Sequence, residues 1–85
     1  MMNVRQAVRA ARQMLESLYE DDTIFDVRVE EVEQSDDERT WLITLGFDPT
    51  PLARVGLIHP ARQFKQFRVN AQTGKVQAMK TRKVG

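Results

Sequence analysis

Val4, Ala7, Val8, Ala11, Leu15 and Leu18 recur at spacings of three and four, with Met14 and Tyr19 flanking, while Arg5, Arg9, Arg12, Gln13 and Glu16 fall between them. That period gathers one apolar stripe on an α-helix, and it predicts a helix over about residues 4–20. Asn3, followed three residues later by Gln6, supplies an N-cap and a capping box for the first free backbone N–H groups. No glycine closes the far end, so the pattern defines the start of the helix better than its stop.

From Ile24 the period changes to two. Phe25, Val27 and Val29 alternate with Asp26, Arg28 and Glu30, after which Val32 falls on the opposite parity. The slip predicts a β-bulge near Glu30-Glu31 or an outward-facing valine. Trp41, Ile43, Leu45 and Phe47 then alternate with Leu42, Thr44 and Gly46, and Ser35-Asp36-Asp37-Glu38 reads as the turn of a hairpin over about 24–48.

A second hairpin is expected over about 62–83. Phe67, Val69 and Ala71 share a face, and Val76 and Met79 punctuate the returning strand with another parity slip. The segment Asn70-Ala71-Gln72-Thr73-Gly74-Lys75 fits a type I turn that closes with Gly74 in the left-handed conformation, where a β-branched residue would be strained.

Between the hairpins, at 49–61, three prolines forbid a central strand, yet Leu52, Val55, Leu57 and Ile58 are too apolar for a freely solvated linker. Two readings follow: an ordered crossover that covers one end of the core, or an exposed apolar loop that meets a partner. The simplest architecture is α+β, an N-terminal helix packed on one face of a four-stranded antiparallel meander sheet of two hairpins, in a single domain over 1–85. Its other face must be polar or covered by something else.

The strand-turn-strand Phe67-Arg68-Val69-Asn70-Ala71-Gln72-Thr73-Gly74-Lys75-Val76 resembles the final hairpin of PepSY-like domains, in which an aromatic strand, an Asn or Asp, a Thr-Gly pair and a valine recur. The helix-then-strands order suits the same cystatin-like α+β plan. The motif-level resemblance covers about 64–79. It implies a small non-enzymatic module that binds or restrains partner proteins, an inhibitor or immunity-type role being one version. PepSY domains usually sit beyond the membrane, attached to peptidases or membrane segments, and this sequence shows neither.

With 85 residues and no cysteine, the chain is too short for a two-domain enzyme and has no disulfide framework. A chain this small buries only about 60–65% of the surface its unfolded form exposes, so each apolar stripe matters. The opening residues lack the apolar run of a secretory signal, and no window approaches the ~18 apolar residues of a membrane helix. The expectation is a soluble cytoplasmic protein without membrane contact.

Catalytic chemistry finds little support. His59 is the one histidine, between Ile58 and Pro60, and no ligand set is spaced around it. Ser17 and Ser35 sit on a helix and in a turn, without a nucleophile-elbow sequence. The glycines, 46, 56, 74 and 85, are too scattered to cradle phosphate. Consecutive acids such as Glu20-Asp21-Asp22 and Asp36-Asp37-Glu38 read as solvated charges rather than an acid–base pair. The sequence thus predicts no enzyme, no cofactor and no metal.

The net charge of +1 hides a segregation along the chain. Residues 20–48 carry eleven acids against Arg28 and Arg39, a net of −9, whereas 49–85 carry eight Lys and Arg and no acid. In the expected sheet an acidic hairpin therefore lies beside a basic one, giving a laterally polarised surface unless ion pairs at the junction absorb it. Arg68, Lys75, Lys80, Arg82 and Lys83 are the candidate partner-binding residues. The expected function is a protein-binding or regulatory module, with self-association as one form of it. The alternative is a nucleic-acid-binding protein that uses the same basic hairpin, with Phe64, with or without Phe67, exposed for stacking. Both phenylalanines are expected in the core, and neighbouring acids would repel a polyanion.

Overall fold

Asn3 begins the helix as its side chain predicts. In the computed structural model, which describes residues 2–19, 24–48 and 62–82, α1 spans Val4–Leu18. The Gln6 N–H donates to Asn3 Oδ1 at 3.0 Å, and the Asn3 N–H donates to Gln6 Oε1 at 2.8 Å, completing the capping box. The helix is shorter than its apolar pattern: Tyr19 is the C-cap, with its N–H on the Glu16 carbonyl at 3.3 Å.

Four strands follow, β1 (Phe25–Gln34), β2 (Thr40–Asp48), β3 (Gln63–Asn70) and β4 (Val76–Thr81). They form one antiparallel sheet in the order β1-β2-β3-β4. Both parity slips are register shifts. One lies between Val29 and Glu31 on β1, and one sets Val69 opposite Val76 while Arg68 faces Ala78, leaving Gln77 as the extra residue. A third shift, between Phe25 and Arg28, carries no signal in the apolar pattern, and Asp26 takes φ 53° there.

The turn of the second hairpin closes as expected. Gly74 has φ 75°, its N–H reaches the Asn70 carbonyl at 2.8 Å, and the Asn70 side chain accepts from Gln72 and Thr73. In the first hairpin the Ser35 hydroxyl donates to Asp37 at 2.6 Å and accepts from the Thr40 N–H at 3.1 Å.

Ala7, Ala11 and Leu15 of α1 are fully buried against Ile43, Leu45, Phe47, Phe67 and Val69. Two alanines in the stripe let the helix lie close on the sheet, and Tyr19 meets Phe47 edge-on with ring centroids 5.2 Å apart. The helix packs mainly on β2, β3 and β4. Val29 and Val32, in register with Leu45 and Ile43, therefore stay 46% and 40% exposed beside it. Met2 ties the chain start to the sheet: its N–H donates to the Ala71 carbonyl at 2.8 Å and its carbonyl accepts from Trp41 Nε1.

No helix among the described residues is long and apolar enough to cross a membrane. The segment 49–61, read as core cover or partner loop, lies outside the described residues, as does His59.

Candidate functional site on the open face

The face turned away from α1 is built by the alternate residues of the same strands. Because paired residues in a sheet point to the same side, the registers sort it into levels. At one level Glu33, Leu42, Arg68 and Ala78 stand side by side across β1, β2, β3 and β4. At the next are Glu31, Thr44, Gln66 and Lys80. Below them Arg28, Gly46 and Phe64 follow, with the Arg82 N–H on the Phe64 carbonyl. In the two upper levels the acids Glu33 and Glu31 thus stand on β1 and the basic residues Arg68 and Lys80 on β3 and β4, while Arg28 of β1 is basic in the level below.

Two arginines stitch the basic hairpin to the acidic one. Arg62, just before β3, places Nη1 2.9 Å from Asp48 and 3.2 Å from Asp26, and Nη2 3.0 Å from the Asp26 carbonyl and 3.5 Å from Glu30. Arg82, just past β4, reaches Glu31 of β1 at 2.6 Å. This pair crosses the whole width of the sheet, over a centre where Thr44 is only 1% exposed. The Thr44 hydroxyl has no hydrogen-bond partner among the described residues.

Gly46 makes room for that crowding. A Cβ there would stand 2.8 Å from Glu30 Oε1 and 3.0 Å from Phe64 Cε1, so the glycine lets both side chains lie over β2. Phe67 is core, as expected, but Phe64 is half-buried on the open face.

Of the five sequence candidates, the structure brings Arg68, Lys80 and Arg82 to the open face. Arg68 and Lys80 stand diagonally on adjacent strands and line, with Leu42, Gln66 and Ala78, a hollow of about 110 Å³. Lys75 is elsewhere, bordering a hollow of about 470 Å³ between α1 and the β3–β4 turn with Ala10, Met14 and Val76. Lys83 lies outside the described residues. Among the described residues Arg82 is ion-paired, whereas Arg68, Lys80 and Glu33 are not.

Glu31, Glu33, Arg62 and Thr44 are members of this surface that sequence reasoning missed. The strand alternation already put Thr44 opposite Ile43 and Leu45, but its partners follow only from register. No group of three or more His, Cys, Asp or Glu is placed to hold a metal among the described residues. The chain matches no protein-family model, no curated protein and no solved structure.

Proposed function

We propose that this protein works by binding another protein through the open face of its sheet, as a small regulatory or inhibitory module rather than an enzyme. The observation that carries the reading is the placement of unpaired charge. Arg62 and Arg82 are consumed by acids of the first hairpin, which ties the sheet together. Arg68, Lys80 and Glu33 form no ion pair among the described residues, although oppositely charged side chains stand on the same face. Solvated charges around a shallow apolar floor of Leu42 and Ala78 suit recognition of a complementary polar surface. The resemblance of the C-terminal hairpin to PepSY-like domains supports the same reading.

The test is capture of partners from a lysate with wild-type protein and with the doubly charge-reversed R68E/K80E as baits. Partners retained by the first and lost by the second support the reading; identical captures would remove the open face from it. The basic residues could also serve nucleic acid, but Glu30, Glu31 and Glu33 on the same sheet would repel a polyanion. A steeply salt-dependent mobility shift with nucleic acid would favour that alternative.

A further inference from the structure

We infer that the occupant of the open face is a second copy of this chain, docked face to face about a two-fold axis parallel to the strands. The inference rests on the reading of this face as a protein-binding surface and names its partner. An isologous interface must be self-complementary, and the charges of the two upper levels meet that requirement. A two-fold axis running between β2 and β3 lays β1 of one copy over β4 of the other. Each register level then faces itself. At the upper level, Glu33 of one copy comes over Ala78 of the other, between Arg68 and Lys80, which have no ion pair among the described residues. At the level below, the two Glu31–Arg82 pairs overlie in opposite senses, so each carboxylate lies over the other copy's guanidinium.

An acidic peptide would satisfy Arg68 and Lys80 but leave Glu33 facing a like charge. A basic one would do the reverse. Only an occupant with both signs in the mirrored order answers the whole face, and a second copy carries that order by construction.

Size bears on the strength of the union. With strands about 4.8 Å apart and a rise of about 3.3 Å per residue, four strands over six residues offer a face of about 400 Å² per copy. The total, about 800 Å², is in the range of weak, transient contacts, so the dimer is expected to depend on concentration and salt.

The experiment is sedimentation equilibrium of the purified chain over a concentration series at low and high salt. Monomer–dimer association that weakens as salt rises is expected. Two variants, E33K and R68E/K80E, are each expected to raise the dissociation constant about tenfold or more. Mixing them restores dimers, because the mixed pair recovers attraction at both upper-level contacts. Circular dichroism checks that each variant is folded; if one is not, the salt series on the wild-type chain still decides. A wild-type chain that stays monomeric, a dimer unmoved by salt, or a mixture that fails to associate would each overturn the inference. A monomer that still captures a different protein through Arg68 and Lys80 would sink the second copy while leaving the function reading intact. Loss of that capture as well would remove both.

Discussion

Glu31 and Arg82 are 51 positions apart in the chain and 2.6 Å apart in space, joined across the full width of the sheet on the side turned away from α1. Beneath that ion pair Thr44 is buried with its hydroxyl unsatisfied among the described residues. An unpaired buried hydroxyl costs about 1–3 kcal/mol, whereas an apolar group of the same shape has nothing to lose. Thr44→Val is therefore expected to stabilise the fold by about 1 kcal/mol, read as a higher denaturation midpoint. A lower midpoint would show that the hydroxyl has a partner in solution.

Gly46 matters for space rather than for backbone freedom. Its missing Cβ is the room into which the Phe64 ring and the Glu30 chain fit. Gly46→Val is expected to cost about 1–3 kcal/mol by overpacking, and Gly46→Ala less, since the Glu30 chain can swing aside. Denaturant melts of the two variants check the order. Equal stability of both with the wild type would mean that the face is looser than its geometry.

Arg62 gathers three acids from the first hairpin, and Asp48 is the least exposed of them at 16%. Removing the guanidinium leaves those carboxylates facing one another, a loss larger than that of an exposed pair. Arg62→Met is expected to destabilise by about 1–3 kcal/mol. Arg62→Lys recovers only part, because an ammonium cannot repeat the forked contacts. Urea unfolding at low and high salt measures both, with the gap between Met and Lys narrowing as salt rises.

The first turn carries a pH signature. The Ser35 hydroxyl and then the Arg39 N–H donate to the Asp37 carboxylate, holding its pKa below the ordinary value. A folded-state pKa depressed in this way gives stability that is present above the unfolded value and is lost as pH falls through the folded one. Acidification below about pH 4 is expected to loosen the turn. An NMR titration of the Asp37 carboxyl carbon should show a midpoint below that of a model peptide, moving upward in Ser35→Ala. Equal midpoints in the wild type and the variant would remove the hydroxyl as the cause.

The helix, both hairpins and two of the three register shifts were legible in the sequence, since period and parity are local properties. Val32 betrayed one bulge by changing parity along the chain, and Gly74 marked its turn because only a left-handed residue closes it. The shift at Asp26 left no such trace, as neither of its flanking apolar residues changes parity. The exposure of Val29 and Val32 was not legible either: one helix about 10 Å wide cannot cover a sheet of four strands about 4.8 Å apart. As for the candidate surface, sign could be counted along the chain, but partners could not. Which arginines are consumed depends on side-chain reach between Arg82 and Glu31, or Arg62 and Asp48, and no sequence spacing encodes it.

The irregular register of β1 has a further consequence. A sheet of four strands ends in two edge strands, and an acidic edge meeting a basic one would repeat without closing, the recipe for a fibre. Two register breaks and four acids on β1 spoil it as a template for another strand. The kinks that disturb the ladder within one molecule thus guard against endless growth between molecules.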